Sequence, residues 1–301
     1  MPRRRCVFGV LLLGGSVGAM TCSESQNTGL GAPARGQVGG WIRDLSQFAR
    51  QRMEILLIPV ALVAFVGLWA LVGQLGDYPT FILPTPRQVW VKFLTVAADG
   101  TLLYHTAVTM SEIFGGLALG LTTATLLGYL LAKSPLMERF LSPYIVASQS
   151  VPIIALAPLL IIWFGFGLLS KVLVCALTIF FPVLINTIVG LRSVERDLQD
   201  LMRSLEASRW QVFRLLEVPA ALPVLLGGLK VGVTLSVIGA VVGEFAQSDR
   251  GLGFLVNLAN RGLFDTPLMF VALLVLMAIA LVLYGIVSAL ETLLLAWKRE
   301  S

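Results

Sequence analysis

The sequence predicts an all-α integral membrane protein with six spanning helices, and three observations carry that reading. Only 13% of the 301 residues are charged, against roughly 25% in a soluble domain. Hydrophobic residues make up 57% and the mean hydropathy is +0.87. Six apolar segments each approach the ~20 residues that a helix needs to cross the hydrocarbon of a bilayer. They fall at about residues 55–75, 106–132, 141–164, 172–189, 220–242 and 267–296.

The net charge of +5 does not point to nucleic acid. The basic residues lie between the apolar spans rather than in one patch with aromatics, where they read as topology signals. With residue 54 placed in the cytoplasm, Lys133, Arg139, Arg192, Arg196, Arg203, Arg209, Arg214, Lys298 and Arg299 fall inside. Arg87, Lys92, Lys171, Arg250 and Arg261 fall outside. The excess of positive charge inside places both termini of a multi-pass membrane protein in the cytoplasm. The cysteines, Cys6, Cys22 and Cys175, have no disulfide or metal spacing, and a single histidine, His105, cannot build a metal site alone.

Residues 1–54 form an extension. Arg3, Arg4 and Arg5 precede an apolar stretch over 7–19, too short to span and signal-like in pattern. A polar, Gly-rich stretch follows over 21–40. A cleaved signal would leave the new terminus outside, against the charge bias, so an unstructured extension from an early start codon is the preferred reading. Between the first two spans, Pro79, Pro84 and Pro86 preclude one continuous helix. Residues 87–96 fit a short interfacial helix with Trp90 and Phe93 at headgroup level. The last outer loop, 246–266, carries Gly251, Gly253 and Gly262. Gly116-x-x-x-Gly120 and Gly239-x-x-x-Gly243 allow helices to approach closely and read as bundle packing.

The segment between the fourth and fifth spans, 191–219, is far more charged than the rest of the chain and about 30 residues long, where a connector needs only a handful. It keeps apolar residues at helical spacing: Leu198, Leu201, Met202 and Leu205, then Trp210 and Phe213. An amphipathic loop of this kind has a face to dock. Its Ser204-Leu-Glu-Ala-Ser-Arg-Trp-Gln-Val-Phe-Arg214, with Glu217-Val-Pro-Ala-Ala-Leu-Pro223 and Gly227-Gly-Leu-Lys230, resembles the inner-loop signature of binding-protein-dependent ABC importer permeases. Phe81-Ile-Leu-Pro-Thr-Pro-Arg-Gln-Val-Trp90, Gly243-Glu-Phe and Gly251-Leu-Gly253 resemble the nitrate, sulfonate and taurine branch, which also includes riboflavin and pyrimidine-precursor permeases.

That resemblance covers about residues 55–297 and implies a six-helix permease domain with a cytoplasmic coupling helix. It implies two copies of a separate ATP-binding subunit, a periplasmic or lipid-anchored solute-binding protein, and a homodimer in the lipid bilayer. The cargo it implies is a small anionic solute such as a sulfonate, taurine or nitrate; the alternative is a riboflavin-type or pyrimidine-type precursor. It places the ATPase contact on Ser204, Leu205, Glu206, Ala207, Ser208, Arg209, Trp210, Phe213 and Arg214. The chain departs from the family at one position: Glu206 stands where the family has glycine. Glycine lets the chain turn with positive φ; Glu206 either makes that turn costlier, or stays helical and offers its carboxylate to the start of the coupling helix.

Four polar sites within spans are candidates for the translocation path. Glu112, near the outer end of the second span, is either a pathway or gating residue or an interfacial charge reaching water; Glu244, near the outer end of the fifth, serves either the substrate path or a structural contact with the outer loop. Ser148 and Gln149 lie mid-span beside Pro152 and Pro158, where a kink suits a path or a helix–helix hydrogen bond. Lys230 can reach the cytoplasmic face along its stem, and Glu291 can pair with a nearby base. An ion-coupled secondary transporter would need repeated broken helices, and a membrane enzyme a convergent catalytic set; neither is visible. No Walker phosphate loop, Gly-x-x-x-x-Gly-Lys-Ser/Thr, occurs in the sequence. The chain is therefore expected to hydrolyse nothing and hold no cofactor, its ATP being used by the partner subunit.

Overall fold

The computed structural model describes residues 57, 59–76 and 78–295. The extension over 1–54, with Cys6 and Cys22, lies outside the described residues. Leu62–Ser301 form one compact unit, and every contact below lies within it.

Local sequence sets the helix starts. A helix over Pro59–Leu75 (α1) runs into this unit. The next, Pro86–Ala98 (α2), opens on a capping box: Gln88 N donates to Thr85 Oγ1 and Thr85 N to Gln88 Oε1. Trp90 stacks on Phe93, ring centroids 5.5 Å apart, while Val89 and Val96 turn inward. Thr101–Lys133 (α3) follows a left-handed Gly100. Pro135–Gln149 (α4) is capped by Ser134, and Thr266–Leu294 (α11) by Asp265, whose Oδ1 accepts from Leu268 N.

The core is a three-helix stack. Leu168–Arg192 (α6) lies between α3 and Val218–Gln247 (α9). Small residues let the backbones meet: Gly116 and Gly120 of α3 face Cys175 and Ile179 of α6, and Gly128 faces Thr187. From the other side Gly239 and Gly243 of α9 face Cys175 and Lys171. Both Gly-x-x-x-Gly pairs thus serve the same central helix. α11 packs on α9 and α2.

Two expectations are corrected. The third apolar segment, 141–164, is not one helix. α4 ends at Gln149, Ile153–Phe164 (α5) begins after Pro152, and the two meet at 94°. Pro152 disfavours helical backbone at Val151 before it. Among the described residues, four helices are long and apolar enough to cross a membrane, α4 and α5 add a fifth, broken span when taken together, and α1 is a shorter apolar helix. The second correction concerns 246–266, read as a loop. It holds Leu252–Leu258 (α10) and a π turn over Ala259–Leu263, because Leu252, Leu255 and Val256 are buried against the bundle.

Candidate functional site

The two ends of the bundle carry different chemistry. At the end near α7, Arg196–Ser204 (α7) projects from α6 with none of residues 197–204 buried. Leu198, Leu201 and Leu205 line one stripe of it at helical spacing. α7 ends in a Schellman motif: Glu206 N donates to Arg203 O and Ala207 N to Met202 O, both at 3.0 Å. The left-handed position in that motif is Glu206, with φ 52°. The chain therefore makes the glycine-type turn with a glutamate and does not stay helical there. Nor does Glu206 cap the following helix. Ser208 does, in a capping box with Gln211: Gln211 N donates to Ser208 Oγ at 3.3 Å, and Ser208 N to Gln211 Oε1 at 2.7 Å.

That helix, Arg209–Val212 (α8), continues through a π turn over Phe213–Glu217 into α9. Trp210 stacks on Phe213 at 5.5 Å, and Phe213 meets the Tyr129 ring of α3 edge-on at 5.5 Å. Trp210 is still 66% exposed. Together with Thr122, Leu126 and Arg209 these rings line an apolar groove of about 870 Å³. Lys133 pairs with Glu217, and Arg192 with Glu138, tying the loop's base to α3 and α4. Phe213 thus rests on α3. Ser204, Leu205, Ala207 and Arg214 complete the region between α7 and α9.

At the opposite end, α3, α6 and α9 converge on buried charges. Glu112 of α3 is fully buried, its Oε1 2.9 Å from Lys171 Nζ of α6. Lys171 Nζ also donates to Ser248 Oγ. Glu244 of α9, also fully buried, accepts from Thr109 Oγ1 at 2.6 Å and from Gly253 N. Thr109 Oγ1 in turn accepts from Leu252 N at 2.9 Å, and His105 Nδ1 accepts from Gly251 N at 2.9 Å. Gly251 has φ 107°, and a Cβ there would collide with the Glu244 carboxylate, so this close approach requires glycine. Glu112 and Lys171 line a cavity of about 720 Å³ with Ser111, Phe166 and Arg250. At its mouth Asp249 is held below the ordinary carboxylate range, first by its own backbone N–H and then by Arg250.

Glu112 is therefore not an interfacial charge reaching water: Lys171 neutralises it inside the fold. Lys171, Thr109 and His105 were missed as its companions. His105, Thr109 and Glu112 recur at i, i+4 and i+7 and are all buried, a polar stripe on the inward face of α3. Ser148 and Gln149 stand apart from this cluster, exposed at the break between α4 and α5. Lys230 pairs with Glu291 of α11 and lies over the Tyr284 ring.

A stack of long apolar helices with a broken span beside it, and an amphipathic helix projecting between two of them, is the architecture expected of a transport permease. The chain belongs to the family of binding-protein-dependent transport system inner membrane components, whose model matches residues 116–295. It is the permease subunit of an ABC importer. It is 47% identical over 259 residues to the riboflavin transport system permease protein RibX of Chloroflexus aurantiacus, covering 86% of this chain and 95% of that one. It is 34% identical to the formylaminopyrimidine transport permease protein ThiX of Halalkalibacterium halodurans, with coverage of 77% and 92%. Identity is also 34% with the taurine transport system permease protein TauC of Escherichia coli, with coverage of 82% and 91%. The inward-facing MetNI methionine ABC transporter superposes with a TM-score of 0.53 at 19% identity, over 62% of this chain and 91% of the other, and shows the shared fold.

Proposed function

We propose that this permease works as a homodimer with both termini cytoplasmic, and that the α7–α8 segment couples it to a separate ATP-binding subunit. The observation that carries this reading is the bare apolar stripe of α7, with Leu201 54% and Leu205 67% exposed on a helix that leaves the bundle. A membrane protein that holds such a stripe clear of its own core has a partner groove for it. Trp210, stacked on Phe213, continues that surface, and the continuous helix from α8 into α9 gives a mechanical route into the core. A solute-binding protein then delivers cargo at the α10 end.

The cargo is a riboflavin-type solute. The 47% identity over 95% of a riboflavin permease supports this above the sulfonate, taurine or nitrate reading, for which the taurine relative stands at 34%. The test is reconstitution of the permease with its ATP-binding subunit in vesicles, with binding protein and labelled riboflavin outside. Accumulation that needs both partners and ATP is expected. Accumulation driven by an ion gradient without the ATPase would overturn the importer mechanism. Labelling of a cysteine at Ser208 from outside intact cells would overturn the orientation.

A further inference from the structure

We propose that the π turn over Phe213–Glu217 is the joint on which the α7–α8 segment swings, and that Lys133 and Glu217 are the positioning pair that passes the swing to α3. The inference rests on the coupling role given above to α7–α8 and deepens it.

The sequence puts the joint where it is. Pro219 has no N–H, and in an α-helix its ring would strike the carbonyl of Leu215, four residues back. The turn before it is widened instead: Val218 N donates to Phe213 O, five residues back. A single wide turn inside a helix holds one residue more than the α repeat needs, and such turns gather at functional sites. The chain is regular on either side. Ser208 and Gln211 fix the start of α8 by their capping box, and α9 runs on to Gln247.

Two contacts hold the joint against α3. Tyr129 and Lys133 stand one turn apart on that helix, and Phe213 and Glu217 stand at the two ends of the π turn. Phe213 meets Tyr129 edge-on, Glu217 pairs with Lys133, and Lys133 Nζ lies 5.5 Å from the Tyr129 ring centroid. Further out, Trp210 and the apolar stripe of α7 stand exposed. Glu217 is buried, yet its Oε2 has no hydrogen-bond partner among the described residues. An orphaned buried oxygen calls for an explanation, and a pairing that changes within the transport cycle supplies one. α3 itself is one helix of 33 residues without a proline. A push on Lys133 therefore reaches Thr109 and Glu112, towards its other end, with no break between.

The experiment is hydrogen exchange on the full-length permease with its ATP-binding subunit in lipid nanodiscs, nucleotide-free and then trapped with ATP and vanadate. In the wild-type complex, trapping should change exchange at amides 214–218 by about tenfold, the reading of a roughly 1.4 kcal/mol shift in local opening. It should also change exchange at both ends of α3, around Lys133 and around His105. Glu217→Gln and Lys133→Met should each keep the ATP-binding subunit and the change at 214–218, but lose the change around His105. A merely structural pair would not separate the two. Glu138→Gln breaks the Arg192 pair at the same end of the bundle, away from the joint, and should respond as wild type does. Identical exchange at 214–218 in the two states of the wild-type complex overturns the joint, with no substitution involved. A wild-type response around His105 in Glu217→Gln and Lys133→Met, or its loss in Glu138→Gln as well, overturns the positioning pair. Loss of the ATP-binding subunit from Glu217→Gln also overturns it, by placing Glu217 in the docking surface. The coupling reading fails separately, if Leu201→Asp with Leu205→Asp still co-purifies the ATP-binding subunit.

Discussion

Trp210 stacks on Phe213 with the rings 28° from parallel, and only Phe213 is anchored further, edge-on against Tyr129. The two aromatics of the loop therefore have separable roles. Phe213→Ala should loosen the loop from α3 and cost about 1–2 kcal/mol through lost ring packing. Trp210→Ala should change stability by no more than about 0.5 kcal/mol, as exposed positions do, yet weaken ATPase binding. Thermal unfolding in detergent beside co-purification of the ATPase separates the two; equal losses of stability would contradict the division.

Glu206 carries the strain of a left-handed backbone at φ 52°. Glutamate in that region costs about 1–2 kcal/mol relative to glycine. Glu206→Gly should raise stability by about 1 kcal/mol and leave ATPase binding intact, because the Schellman turn needs the backbone and not the carboxylate. Ser208→Ala should lower stability by about 1 kcal/mol through loss of the N-cap. A Glu206→Gly protein with a lower melting temperature would show that the carboxylate has a partner of its own.

The Lys171–Glu112 pair predicts a strongly non-additive cycle. Lys171→Met leaves Glu112 buried without its cation, a change that costs about 3–5 kcal/mol for a buried pair. Lys171→Met with Glu112→Met should recover most of that loss. Additive single and double substitutions, read from thermal unfolding, would mean that the two side chains do not sense each other.

The packing of α3 on α6 predicts opposite outcomes for two glycines. A Cβ at Gly120 would lie 2.5 Å from Ile179 Cγ1 and 2.9 Å from the Ala176 carbonyl oxygen. Gly120→Ala should therefore destabilise by about 1–3 kcal/mol. Gly285, mid-helix in α11, has nothing within 4 Å of the added atom, so Gly285→Ala should be neutral or gain up to about 1 kcal/mol from helix propensity. Comparable losses at both sites would refute the close approach.

How much of this was legible in the sequence depends on the length scale of each signal. α3, α6, α9 and α11 stand out because apolar runs of spanning length have few other uses in a chain. The break between α4 and α5 was visible as Ser148, Gln149 and Ser150 beside Pro152, but only as a kink; residue types do not encode a 94° turn. α10 was missed because seven residues, Gly253 among them, are too few for a periodicity to show. Glu112 and Glu244 were each noticed, but Lys171 was assigned to a loop because it begins an apolar span. Their meeting is a tertiary fact, made by helix packing between residues far apart in the chain.

The account turns on the α7–α8 segment as the contact with the ATP-binding subunit. The direct measurement is co-purification of that subunit with a permease carrying Leu201→Asp and Leu205→Asp, both at exposed positions of the free chain. The account predicts normal insertion and an unchanged melting temperature. It also predicts loss of the ATPase and of ATP-driven uptake, since placing charges in a desolvated groove costs about 2 kcal/mol or more at an interface anchor. Full ATPase binding and wild-type uptake by the doubly substituted permease would contradict it.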